Sequence, residues 1–333
     1  MLSNETVGQI QLDNFVEAIP KIYHNKDVKR SIWDVWMHAN HHASAIGEEV
    51  RKGISGRLLL TEVADFSMWL FTTVNKLRGE IGVSKDGESE QESLIRIGHG
   101  FSDLLWNKYP GLCPVCYWRR TEGDRTKEED SGFGNPCDCL LHDVETRSQD
   151  QKRQHTKALR AFSREHRQEK SRGIDRWQKM FARIFEANPR HLTLTSIAFH
   201  LLEEMGEVSD AMVRMYTYRK EDFVDGEPSW RQIWLENELA DVSSWLFALV
   251  EKLDTVRQTA NEYDEWRFGT SFRNKRITLS QIIWKRYGSD KIQDFICPHP
   301  PPQKSVCTCP LILVPADRSV KDLQAKVIDV LGS

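Results

Sequence analysis

Between Ile32 and Val50 the apolar residues Ile32, Val35, Trp36, Ala39, Ala43, Ile46 and Val50 recur every three or four positions. That is the helix period with a single apolar stripe, and it predicts an amphipathic helix over 30–52. The run LLLTEVADFSMWLFTTVNKL at 58–77 is apolar around most of its circumference, which predicts a helix buried on all sides. Segments 92–109 and 277–287 have amphipathic patterns. Breakers fall where loops are needed: Gly53-Ile54-Ser55-Gly56, Gly79 to Gly87, Asp225-Gly226-Glu227-Pro228, and Gly269. Residues 146–173 are rich in charge, with a sparse apolar face at Ala158, Leu159, Ala161 and Phe162. They read as a solvated connecting helix. The expected fold class is all-α.

The same plan runs twice along the chain. Leu12-Asp13-Asn14-Phe15 matches Ile174-Asp175-Arg176-Trp177, and His41 through Gly47-Glu48 matches His200 through Gly206-Glu207. The buried run at 58–77 matches IWLENELADVSSWLFALVEKL at 233–253, which sets Glu62 on Glu238, Asp65 on Asp241, Trp69 on Trp245 and Lys76 on Lys252. LLWNKYPGLCP at 104–114 matches the segment from Ile282 to Pro298, so that Lys108 falls on Arg286. Each half then ends in a cysteine cluster and a charged tail. The expected organisation is a first half at 1–145, a linker helix at 146–173 and a second half at 174–333.

Candidate chemistry concentrates between His200 and Leu253. Glu204 and Glu207 are three residues apart, as are Glu238 and Asp241, so each pair shares a helix face. In a chain with this many acids chance alone gives roughly seven such pairs, so the spacing by itself is a weak signal. The flanking apolar residues strengthen it: Leu201, Leu202, Met205 and Val208 beside one pair, Leu235, Leu239, Val242 and Trp245 beside the other. Carboxylates that border a core stripe need a partner. If the two helices pack antiparallel, four carboxylates converge, and Mg²⁺ is the cation suited to that set of hard oxygens and to substrate phosphates. The first half keeps Glu48, Glu62 and Asp65 as Mg²⁺ candidates, but Ala45 stands opposite Glu204. That half reads as degenerate.

All seven cysteines lie in two clusters: Cys113, Cys116, Cys137 and Cys139, then Cys297, Cys307 and Cys309 with His299. Four Cys, and three Cys with one His, are each a complete tetrahedral shell for structural Zn²⁺. An odd cysteine count fits disulfides poorly. His38, His41 and His42 crowd one helix. The expectation for these, and for His200, is a hydrogen-bonded role at a helix crossing, with His200 also a candidate at the edge of a substrate pocket. Lys252, Lys285 and Arg286 are the second-half cations placed to meet phosphates.

Composition narrows the class. A net charge of −3 argues against a general nucleic-acid or anionic-membrane binder. No apolar run approaches the length of a membrane span. The opening MLSNETVGQIQLDNF has neither the basic nor the apolar region of a secretory signal, so a cytoplasmic location is expected.

Glu204-Met-Gly-Glu207 and Glu238-Leu-Ala-Asp241, with the apolar run that follows, resemble the ExxE…ExxD signature of the MazG-like, all-α nucleoside triphosphate pyrophosphohydrolases. The resemblance covers the central helices of each half and leaves out the cysteine clusters and tails. It implies four-helix units that assemble as dimers, here supplied in tandem as an intramolecular pseudo-dimer. It also implies Mg²⁺-dependent hydrolysis of an NTP or dNTP to a nucleoside monophosphate and pyrophosphate. The catalytic metal ligands would be Glu204, Glu207, Glu238 and Asp241. Ala45 departs from the pattern. The rival expectation is a nucleotide-binding sensor or scaffold that signals to a partner without turnover. Homo-oligomerisation is open to either.

Overall fold

The computed structural model describes residues 11–14, 16–17, 27, 29–52, 56–79, 95–121, 148–170, 173–185, 192–217, 230–259 and 276–287. Among these there is no strand, only an isolated antiparallel bridge between Gln11 and Gly173. The fold is all-α. Its helices are α1 (Ile32–Arg51), α2 (Gly56–Leu77), α3 (Phe101–Lys108), α4 (Pro114–Thr121), α5 (Gln149–Glu165), α6 (Ile174–Ile184), α7 (Leu194–Thr217), α8 (Trp230–Thr259) and α9 (Leu279–Tyr287).

Helix α1 starts at a capping box. The Ser31 hydroxyl accepts from Asp34 N at 3.0 Å, and Asp34 Oδ2 accepts from Ser31 N at 3.1 Å. Its buried residues are the seven of the sequence stripe, Ile32 through Val50. Helix α2 is buried nearly throughout, as its all-round apolar pattern predicts. Four of its interior polar side chains find acceptors close by: Ser67 on Val63 O, Thr72 on Met68 O, Thr73 on Trp69 O, Asn75 on Val16 O. The helix stops at Gly79, whose φ of 74° suits a residue without a Cβ, and Gly79 N donates to Lys76 O.

Two hairpins dominate the core, α1 with α2 and α7 with α8. They meet through α1 and α7, which run antiparallel: Trp33 packs edge-on to Tyr216 at 5.8 Å, and Trp36 Nε1 donates to Ser209 Oγ at 2.8 Å. Farther along the same crossing, Gly47 lies against Leu202. A Cβ there would come within 3.3 Å of Leu202 Cδ1, so the small residue permits the close approach.

The short helices cross over. Helix α3 follows the α1/α2 hairpin in sequence but packs on α8, and α9 follows α8 but packs on α2. Both are held at their starts in the same way. Asp13 accepts from Ser102 N at 2.8 Å and from the Ser102 hydroxyl, and Asp175 accepts from the Ser280 hydroxyl at 2.6 Å. Among the described residues of the amphipathic stretch 92–109, helix begins at Phe101. Gly98 and Gly100 interrupt the stretch, and Ile95 and Ile97 are buried without helical structure.

The segment expected to be a solvated linker helix is more than that. Most of α5 is exposed, but Leu159, Arg160 and Ser163 are buried against α3, and Trp106 Nε1 donates to Ser163 O at 2.8 Å. Arg160 Nη2 reaches Glu236 of α8 at 2.7 Å. Glu236 is 1 % exposed and also accepts from Gly98 N at 2.9 Å and meets His99 Nδ1 at 2.9 Å. Burial would push its carboxyl up, but the His99 hydrogen bond and the Arg160 charge outweigh that and hold it below the usual range. One carboxylate thus ties α8, α5 and the residues before α3 together. Glu236→Ala, which strands Arg160 in the interior, is expected to lower unfolding free energy by about 3–5 kcal/mol in urea titration. Replacing Glu236 and Arg160 together by methionine should recover most of that loss.

Candidate functional site: an acidic cluster within the second hairpin

Glu204 projects from the middle of α7, and Glu238 and Asp241 from one face of α8. Because α7 and α8 form a hairpin, carboxylate oxygens of all three come within 4.8 Å of one another. Glu238 is 7 % exposed, and Glu204 and Asp241 are half-buried. Glu207 lies one turn on, at the exposed rim, and hydrogen-bonds the Glu238 carboxyl. The four residues singled out by spacing are therefore neighbours.

Crowding has an electrostatic consequence. The Glu204 carboxyl is pushed up to about 8, by burial first and then by Asp241, with Glu207 and Glu238 adding to it. Glu238 is likewise raised to about 8 by burial, by Asp241 and by Glu207. Trp245 Nε1 donates to Glu204 Oε1 at 3.2 Å, and His200 stacks on the Trp245 ring at 4.4 Å and 13°, so an aromatic wall flanks the acids. His200 Nδ1 also meets Glu203 at 3.1 Å.

The cation beside the cluster comes from the other half. Lys108, at the end of α3, contacts Asp241 through Nζ, and Tyr109 donates its hydroxyl to the second Asp241 oxygen. Burial opposes the Lys108 charge, but Asp241, Glu238 and Glu204 overcome it and raise the pKa. Tyr109 is raised well above its ordinary value by burial and by Asp241, so the phenol keeps its proton.

The converse holds at the first-half acids. Arg286 Nε and Nη2 grip Asp65 at 3.0 and 3.1 Å, and Tyr287 donates to the same carboxylate. Arg286, expected from the sequence to meet substrate phosphates, is instead held on Asp65 of the first half. Tyr109 is the residue the sequence reading missed, together with Asp241 as the partner of Lys108. The match of Lys108 and Tyr109 to Arg286 and Tyr287 was visible, but the crossing of each pair to the opposite hairpin was not.

Glu62 meets His42 Nδ1 at 2.8 Å, and Glu48 is exposed and paired with Lys52 at 2.7 Å. With Ala45 in place of a fourth acid, these side chains do not converge into a second cluster among the described residues. The change leaves a mark on Trp69, the counterpart of Trp245. It is fully buried, and its Nε1 has no hydrogen-bond partner among the described residues. His38 stacks on this ring at 4.2 Å and 13°. Burial, then Arg30 and the neighbouring histidines, lower its pKa to about 4, so it is neutral at pH 7. His41 packs edge-on to His42 at 5.1 Å.

Of the remaining candidates, Lys252 is half-buried and Lys285 exposed. Lys76, which matches Lys252, is buried and donates to Asp27 O at 3.1 Å. Cys113 is buried and Cys116 half-buried at the start of α4, while Cys137, Cys139, Cys297, His299, Cys307 and Cys309 lie outside the described residues. Among the described residues no helix is long and apolar enough to cross a membrane. No family model, curated protein or solved structure matches the chain.

The donor set fits a hard divalent cation. Three carboxylates converge, Lys108 neutralises one, and the other two hold protons near pH 7 for want of further positive charge. Their raised pKa values fix a pH dependence. Between the ordinary 4.5 and about 8 the folded chain retains protons on these two groups that the unfolded chain has released, so their contribution to stability is fully present below that window and is lost as pH rises through it. In EDTA, the urea midpoint of the wild type is expected to drop between pH 5 and pH 9 by clearly more than that of Glu204→Gln/Glu238→Gln.

Proposed function

We propose that the chain is a Mg²⁺-dependent nucleoside triphosphate pyrophosphohydrolase of the MazG-like kind, with its active site in the second half. What carries this reading is the convergence of Glu204, Glu238 and Asp241 from adjacent helices, with Glu207 at their rim. The crossed helices support reading the chain as two tandem units that make a pseudo-dimer. The Asp13–Ser102 and Asp175–Ser280 contacts recur in both halves, as do the paired donors on Asp241 and Asp65. On the same reading the first unit is degenerate: Asp65 is occupied by Arg286, Glu62 by His42, and position 45 offers no oxygen. The two cysteine clusters are proposed as structural Zn²⁺ knuckles, since closed four-ligand shells leave no position for water.

In this mechanism Glu204, Glu238 and Asp241 would hold Mg²⁺, as implied by the family resemblance. A divalent ion held there would supply charge neutralisation at the phosphoryl group and would lower the pKa of a nearby water. Glu207, the most exposed of the four acids, is placed to take the proton of a water directed at the α-phosphorus. Lys108 brings a cation to the edge of the cluster, where it can meet phosphate oxygens once Asp241 has another partner. His200 and Trp245 form a stacked wall at the same edge, suited to a base or sugar. The products would be a nucleoside monophosphate and pyrophosphate.

Gly206 separates a packing role from a functional one. A Cβ there would meet no atom within 4 Å, so packing does not demand glycine. Gly206→Ala is expected to stabilise the protein by about 0.5–1 kcal/mol through helix propensity. If the phosphate chain passes over this turn, the same variant loses activity.

The direct test is pyrophosphate release from a panel of NTPs and dNTPs with Mg²⁺. Glu238→Gln is expected to reduce turnover more than about 100-fold, beyond the effect of losing a group that only supports a metal ligand. Glu62→Gln should have a milder effect. Nucleotide binding with no product from any member of the panel would favour the sensor or scaffold instead.

A further inference from the structure

Between α6 and the residues of α3 and its following turn is a cleft of about 500 Å³. Arg176, Lys179 and Arg183 line it, together with Glu169, Trp106 and Met180. The three cations are spaced three and four residues apart on α6, so they share one face and extend over about 10 Å of helix. All three are exposed, and among the described residues none of them engages in an ion pair. Among the described lining residues Glu169 is the lone acid, which leaves a local excess of positive charge in a chain whose net charge is −3. The floor is apolar: Trp106 and Met180 are 3 % and 5 % exposed. Against such a floor the cations face a partly desolvated space, where their attraction for an anion is stronger than on an open surface.

We propose that this cleft is a second binding site, for a small molecule that carries two or more linked phosphates. Three cations in a row favour a linear polyanion over a single oxyanion. The volume is that of a small-molecule site. Glu204, Glu207, Glu238 and Asp241 are not among the lining residues of the cleft. It is nevertheless in contact with them through the fold. Phe181, on the same helix, packs against Tyr109 at 5.2 Å, and Tyr109 donates to Asp241.

The test is calorimetric titration of the full chain, in EDTA, with inorganic tripolyphosphate and separately with a non-hydrolysable nucleoside triphosphate. Both are expected to bind wild type and the Glu204→Gln/Glu238→Gln variant alike. Tighter binding of the nucleotide would identify a nucleotide as the source of the phosphate chain, and equal binding would identify the phosphate chain alone as what is recognised. Arg176→Ala/Lys179→Ala/Arg183→Ala removes exposed side chains only, and is expected to weaken binding about tenfold or more. Removing three exposed cations from α5 instead, in Lys152→Ala/Lys157→Ala/Arg164→Ala, controls for net charge and should leave binding unchanged. Absence of binding to wild type, an equal loss in the α5 variant, or binding of a single-stranded oligonucleotide in preference to tripolyphosphate would each overturn the proposal.

Discussion

Carboxylates placed on the inner face of a buried helix must be neutralised, and in this protein each half neutralises the other's. Asp241 is met by Lys108 and Tyr109 from the first half, and Asp65 by Arg286 and Tyr287 from the second. Neither hairpin could bury its acid alone without an uncompensated charge. The exchange of α3 and α9 between hairpins therefore does two things at once. It completes the hydrophobic core, and it delivers a cation and a phenol to each acid. Removal of one partner would leave the other charge stranded, so the halves are bound to a common fate in folding.

The exchange is even, but the acids it serves are not. In the second half two of the three converging carboxylates remain after Lys108 has neutralised Asp241, and both are pushed to about 8. In the first half Arg286 saturates Asp65 with two hydrogen bonds, and His42 accounts for Glu62. The difference turns on one position. Glu204 accepts from the Trp245 indole, whereas Ala45 leaves the matching Trp69 Nε1 buried without an acceptor. An unsatisfied buried donor costs stability. Its persistence marks where an oxygen would sit if the two halves were alike. On the proposed function, the first half then serves as the arm that completes the second half's site.

Much of this could be read from the chain. The stripe from Ile32 to Val50 is the buried face of α1 residue for residue, and the all-round apolar run at 58–77 is buried nearly throughout. The three-residue spacing of the acids located the cluster, because helical periodicity fixes which side chains share a face. Periodicity reports burial but not the identity of the partner. For that reason Arg286 was expected at phosphates and not on Asp65, the match of Lys108 to Arg286 did not reveal Asp241 as the partner of Lys108, and Tyr109 was passed over. The same limit applies to α5. Its sparse apolar face was visible, yet the buried Arg160–Glu236 pair depends on a residue 76 positions away. Gly98 and Gly100 were the available sign that the helix after residue 92 begins late.

Everything functional rests on the proposal that Glu204, Glu238 and Asp241 close around a divalent ion. Titration of Mn²⁺ followed by electron paramagnetic resonance tests it directly, since bound and free Mn²⁺ differ in signal and no substrate need be known. The account predicts a saturable Mn²⁺ site in the wild type, competed by Mg²⁺, retained in Glu62→Gln and lost in Glu204→Gln/Glu238→Gln. Binding that survives in the double variant, or none in the wild type, would contradict it.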